Sequence, residues 1–117
     1  MHYLLDTNIL SDLVKLPQGV VAARIVAVGG DQVCTSLIVA AELRYGAAKR
    51  ESEKLTKQLE AILATLPVIP IEAPTDRQYG KLRAALEIQG NLIGPNDLLI
   101  AAHALALDAV LVTDNTR

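Results

Sequence analysis

Apolar and polar positions along this chain fall into short blocks whose period changes, and the changes mark its elements. The run Tyr3-Leu4-Leu5 within residues 2–6 reads as a short buried strand. From Thr7 the apolar positions take helical spacing until Pro17 and Gly19 interrupt it. A second short helix is expected over 19–28, ended by Gly29-Gly30-Asp31, and a strand over 32–35. Ser36 then stands as the N-cap of the run SLIVAAELRYGAAKR. Residues 51–65 are expected to continue in helix, with charges on one face and Leu55, Leu59, Ile62 and Leu66 on the other. Val68-Ile69 is a short strand bracketed by Pro67 and Pro70. Residues 75–89 form an amphipathic helix with Tyr79, Leu82, Leu86 and Ile88 inward. Gly94-Pro95 breaks the chain before an apolar helix over 96–107, and AVLVT at 109–113 is the clearest strand.

Strands alternating with helices imply an α/β fold: a parallel sheet with helices on both faces, joined by right-handed crossovers. The 117 residues suit one domain spanning 1–117. In such open sheets ligands bind beyond the carboxyl ends of the strands. Two strands deliver acids to that edge: Asp6 closes the first, and Asp114 follows the last.

Composition sharpens this picture in three ways. Hydrophobic residues make up 51% of the chain but aromatics only 3%, so the core is aliphatic and an exposed apolar patch is expected, hence a homodimer or a protein partner. Lys plus Arg number 11 against 13 Asp plus Glu, a net charge of -2, which advertises no nucleic-acid binding as a global average. The average misleads if several acids share one site. Cys34 is the single cysteine, which excludes an internal disulfide framework and fits a reducing compartment. No apolar run approaches the ~18 residues of a membrane span and no signal-peptide pattern opens the chain, so a cytoplasmic protein without a membrane partner is expected.

The acids carry the chemistry. Glu42 falls among Ile38, Val39, Ala41, Leu43 and Tyr45. An unpaired carboxylate buried there would cost several kcal/mol, so it needs a cation: a basic side chain or a metal ion. Asp97 begins a stripe continued by Ile100, Ala101 and Ala104, the expected core face of its helix. As a first-turn acid it also suits the helix dipole, and Asp6 could equally cap the helix that starts at Thr7. Together, Asp6, Glu42, Asp97 and Asp114 outline an oxygen-rich pocket of the kind that holds Mg²⁺ or Mn²⁺. His2 and His103 are too isolated for a zinc site. Cys34 reads as a small core residue, and no nucleophile elbow or glycine-rich phosphate loop is present.

Four stretches carry a family resemblance: LLDTNILS at 4–11, AELRYGAAK at 41–49, GPNDLLIAAHAL at 94–105 and VLVTDNTR at 110–117. In that order and spacing the chain resembles the PIN-domain ribonucleases, and within them the VapC-like toxins of bacterial toxin–antitoxin pairs. The resemblance implies a three-layer PIN-like fold and a magnesium-dependent endoribonuclease that hydrolyses RNA phosphodiesters, in tRNA or rRNA, through a metal-activated water. It matches Asp6, Glu42 and Asp97 to an acidic triad, with Asp6 and Asp97 as direct ligands and Glu42 holding a water or a second ion. Thr7 and Asn8 would orient Asp6. The fourth acid departs from the pattern: Asn115 occupies the usual place and Asp114 comes one residue earlier. Family members also run on past TDNTR into a final short strand, so that strand is expected to be missing here. Arg44, Lys49, Arg50 and Arg117 are candidate phosphate contacts, each weighed against an ordinary solvated charge. A VapB-like antitoxin would cover the site. The competing readings are a binding module of the same fold, whose acids only cap helices, and a metal-dependent DNA nuclease or phosphatase.

Overall fold

The computed structural model describes residues 2–91 and 93–113. Its elements alternate as the pattern predicts. Strand β1 is His2–Leu5, followed by helices α1, Thr7–Lys15, and α2, Val20–Val28; a short 3₁₀ turn leads into β2, Val33–Ser36. Then come α3, Leu37–Lys49, α4, Glu53–Leu63, and β3, Val68–Ile69. Helices α5, Thr75–Ile88, and α6, Pro95–Ala106, precede β4, Ala109–Val112. All pairings are parallel, in the order β3-β2-β1-β4, with Leu5 beside Thr35 on one side and Val112 on the other.

That order determines where the helices go. The steps β1→β2→β3 move in one direction across the sheet, so right-handed crossovers put α1–α4 on one face. The return from β3 to β4 moves the other way and puts α5 and α6 on the opposite face. The direction reverses at β1, between β2 and β4, and Asp6 leaves the sheet at that point. Crevices at such reversals are where open α/β sheets hold their ligands.

The core is aliphatic, as composition required. Leu4, Leu10, Val39, Leu59 and Ile100 are all but fully buried between sheet and helices. β2 is buried at every position, so Val33 and Cys34 join the core while the Thr35 and Ser36 hydroxyls find their partners inside. Burial pushes the Cys34 thiol above its ordinary range, consistent with a packing residue.

Three expectations need correction. Residues 51–65 do not continue the preceding helix. Glu51 takes a left-handed conformation with φ 50°, and Ser52 starts α4 afresh by accepting from the Leu55 backbone N–H at 3.1 Å. Ile88 does not face inward but is 86% exposed at the end of α5. β2 runs one residue later than predicted, so Ser36 both ends the strand and caps α3. The expected apolar surface is present: Val20, Val26 and Val28 of α2 stand in solvent, and α2 has no fully buried residue. Beneath α2 lies an apolar crevice of about 470 Å³, lined by Tyr3, Leu5, Ile9, Val21, Ile25 and Val112 among others. No helix among the described residues is long and apolar enough to cross a membrane.

Candidate active site

Asp6 is held on three sides. Its backbone N–H donates to the Val112 carbonyl at 3.0 Å, fixing it to β4. Its Oδ1 accepts from the Ile9 N–H at 2.9 Å, so it is the N-cap of α1. Just before it, the buried Thr35 hydroxyl donates to the Leu5 carbonyl at 2.8 Å and closes β1 onto β2 where the two strands end. The cap uses one carboxylate oxygen. Oδ2 has no hydrogen bond among the described residues. The choice between cap and site therefore dissolves: the cap orients the carboxylate and leaves it half available.

Glu42 is half-buried on α3, less deeply than its apolar neighbours suggested, because Ala41 and Tyr45 on either side are exposed. It has no ion-pair partner among the described residues; the salt bridges there are Arg44–Glu60 and Arg83–Glu87. What it has is a short hydrogen bond. The Thr7 hydroxyl donates to Glu42 Oε1 at 2.6 Å. Thr7 thus orients Glu42, where the family resemblance implied Asp6. The motif's first two residues serve two different acids: Asp6 projects from the strand end, and its neighbour Thr7 reaches across to α3. Asn8 is exposed and makes no side-chain hydrogen bond among the described residues.

Asp97 lies in the first turn of α6, after Gly94 and Pro95. α6 ends at Ala106, two residues before β4 begins, and Asp108 makes the turn with φ 53°. α6 therefore runs counter to the strands, and its N-terminus points to the carboxyl edge where Asp6 and Glu42 sit. Asp97 is exposed there, not packed in the core stripe that the sequence predicted; Leu98 and Ile100 are the buried residues of that turn. The helix dipole favours a negative charge at this position, and no hydrogen bond engages the carboxylate among the described residues. Asp114, Asn115 and Arg117 lie outside the described residues, as does the position of any strand beyond β4.

The basic candidates separate. Arg44 forms a bidentate pair with Glu60 of α4, both bonds 2.9 Å, on an exposed surface. It stands two residues from Glu42, about 200° around the helix, and its guanidinium is already occupied. Lys49 follows Glu42 by seven residues on the same stripe of α3, with its ammonium 5.9 Å from the Tyr45 ring centre. Arg50 lines a separate small cavity with Ser11 and Lys15.

One buried polar contact has no signal in the sequence. His103 of α6, 1% exposed, places Nδ1 2.8 Å from the hydroxyl of Ser36, itself fully buried. Burial holds the imidazole below its ordinary range; the Pro70 carbonyl opposes this weakly, without a hydrogen bond to Nε2. Ser36 is legible as a cap and His103 as a core residue, but the two are 67 positions apart.

The donors at this edge are hard oxygens, which fits a divalent ion such as Mg²⁺ in kind. Among the described residues no three His, Cys, Asp or Glu side chains converge on one point. Mg²⁺ does not require that, since it keeps several waters and takes one or two protein carboxylates. Asp6 and Asp97 each keep a carboxylate oxygen without an internal partner among the described residues, and Glu42 is held by Thr7; these are the residues that would hold such an ion.

Comparison with known proteins gives the family. The PIN domain family model matches residues 3–117. "Ribonuclease VapC2" of Rickettsia felis is 40% identical over all of this chain and 89% of its own length. The "tRNA(fMet)-specific endonuclease VapC" of Shigella flexneri is 33% identical over the same shares. Among solved structures, that of VapBC2 from Rickettsia felis bound to a DNA fragment from its promoter matches with a TM-score of 0.92. It is 38% identical, covering 98% of this chain and 88% of that one.

Proposed function

The chain belongs to the PIN-domain family, among the VapC ribonucleases, and from that membership we propose that it is the toxin of a toxin–antitoxin pair, a magnesium-dependent endoribonuclease with its site at Asp6, Glu42 and Asp97. The observation that carries the site is the Thr7–Glu42 hydrogen bond beside the Asp6 cap. It holds two carboxylates in fixed orientation at the sheet's reversal point, with no cation among the described residues to neutralise them.

The work divides among the residues as follows. Asp6 presents one oxygen from a strand end that cannot shift, because backbone and cap both hold it. Asp97 presents its carboxylate from a helix start opposite. Glu42, held by Thr7, offers Oε2 as an acceptor that orients a water molecule toward a phosphodiester in the crevice. A bound Mg²⁺ or Mn²⁺ would supply charge neutralisation of the phosphate and a lower pKa for water. No side chain is placed as a covalent nucleophile. The substrate is RNA in single-stranded or looped form, because an A-form helix hides its bases in a deep groove. The tRNA(fMet) named for the Shigella relative makes a tRNA loop the first candidate. Lys49 is the basic candidate on the Glu42 stripe that keeps its charge free of an acid. Asp114 or Asn115 would complete the acidic edge.

Partners follow from the same membership. The VapBC complexes among related structures support a VapB-like antitoxin as the partner, and the exposed valines of α2 support a homodimer or an antitoxin contact. RNA substrate and the lone reduced cysteine support the cytoplasm as the place of action.

The test compares hydrolysis of RNA, single-stranded DNA and a simple phosphate ester by the purified protein in Mg²⁺. RNA cleavage well above the other two is expected. Preferential hydrolysis of DNA or of the ester would replace this reading with the general nuclease or phosphatase one. No hydrolysis and no metal binding would leave a binding module whose acids are helix caps.

A further inference from the structure

We propose that Ser36 and His103 are positioning residues, a buried polar pin between α3 and α6 that sets the spacing of Glu42 and Asp97; this rests on the metal-site reading of those acids. The contact joins the two helices that carry them. Ser36 Oγ lies 2.8 Å from His103 Nδ1, both side chains are 1% exposed or less, and each acid is six residues from its own end of the pin (36 to 42, and 97 to 103). Six residues are less than two helical turns, about 9 Å of stiff helix. A displacement at the pin therefore carries over to the acid.

Ser36 serves two partners at once. Its Oγ accepts from the Ile38 N–H at 3.1 Å, as the cap of α3. The contact with Nδ1 uses either the hydroxyl proton or the second lone pair, according to the imidazole tautomer. A leucine at position 103 would fill the space but leave the buried Ser36 hydroxyl without that contact. What the polar pair provides and a leucine would not is one defined distance and direction between two helices on opposite sides of the sheet edge. The Glu42 end is held again by Thr7, so α1, α3 and α6, and with them Asp6, Glu42 and Asp97, are joined through two side-chain hydrogen bonds.

The test measures Mn²⁺ binding by calorimetry on protein shown to be folded by circular dichroism, with RNA cleavage resolved into kcat and KM. Outer partners of metal ligands commonly change affinity ten- to a hundredfold. His103→Leu and Ser36→Ala are each expected to weaken Mn²⁺ about tenfold and lower kcat with KM little changed. His103→Asn, whose amide can stand where Nδ1 stands, is expected within about threefold of the parent. The double variant is expected to be no worse than Ser36→Ala alone, because one contact is lost either way. Parental Mn²⁺ affinity in folded His103→Leu would overturn the proposal, as would additive losses in the double variant. If His103→Leu does not fold, Ser36→Ala and His103→Asn decide: parental affinity in Ser36→Ala overturns it. A parent that binds no Mn²⁺ overturns the metal site as well, whereas a binding parent with indifferent variants overturns the pin alone.

Discussion

Replacing Asp6 by asparagine or by alanine separates two roles that the wild-type side chain combines. The cap role is the 2.9 Å bond from the Ile9 N–H to Oδ1. Asparagine keeps an oxygen in that place, and Asn and Asp are about equal as N-caps, whereas alanine loses about 1 kcal/mol. For a chain of 117 residues the unfolding entropy near its Tm is about 0.25 kcal/mol/K, so that loss lowers Tm by about 4 °C. Asp6→Asn should therefore melt within about 1 °C of the parent and Asp6→Ala about 4 °C lower. The site role is the charge on the free Oδ2, which both substitutions remove. Both should lower RNA cleavage at least a hundredfold, about 2.7 kcal/mol in the barrier. The assays are thermal unfolding by calorimetry and cleavage of a labelled RNA at saturating Mg²⁺. A stable Asp6→Asn protein that still cleaves at near-parental rate would refute the site role. An Asp6→Ala protein with unchanged Tm would refute the cap.

Other outcomes follow from the same geometry. Thr7→Val keeps the volume at the start of α1 but removes the donor to Glu42 Oε1, so kcat should fall about tenfold with folding intact; an unaffected kcat would show that Glu42 needs no orientation. Burial keeps the His103 imidazole below its ordinary range, so the folded chain resists a proton that the unfolded chain takes up near pH 6.5. Stability contributed by the neutral ring is thus level above about pH 6.5 and falls as pH drops below it, by at most about 1.4 kcal/mol per unit. Denaturant melts between pH 7.5 and 5 should show that fall in the parent and a shallower one in His103→Asn. The Arg44–Glu60 pair is about half exposed, so Arg44→Gln should cost well under 1 kcal/mol and change KM for RNA less than twofold. A large rise in KM would return Arg44 to the substrate surface.

The order of elements was legible because strands and helices here differ sharply in period, and Gly or Pro stands wherever one helix follows another except between α3 and α4. That junction shows the limit. Between α3 and α4 neither residue is present, and the break is made by Glu51 in a left-handed conformation and by Ser52 as a new cap, a signal easily lost in a charged run. The candidate acids stood out one at a time, because Asp6 follows an apolar strand and Glu42 interrupts an apolar helix. Their partners were not. Thr7 follows Asp6 directly, which invited a local pairing, but neighbouring side chains at a strand-to-helix junction diverge, and Thr7 reaches a residue 35 positions away. Ser36 and His103 each had an adequate local explanation, and only the packing of α6 against the start of α3 brings them together. The depth of Glu42 was overestimated for a related reason. Apolar neighbours in sequence do not bury a side chain when two of them, Ala41 and Tyr45, face solvent.

Cleavage of a defined tRNA by the purified parent and by Asp97→Asn tests the central claim most directly, each with EDTA and then with Mg²⁺ restored. The Asp97 carboxylate makes no hydrogen bond among the described residues, so its substitution removes the charge at the sheet edge and at most about 1 kcal/mol of helix-dipole interaction. The account predicts that the parent falls silent in EDTA and recovers with Mg²⁺, while Asp97→Asn, still folded, does not recover. Parental cleavage that persists in EDTA, or full recovery of Asp97→Asn in Mg²⁺, would contradict it.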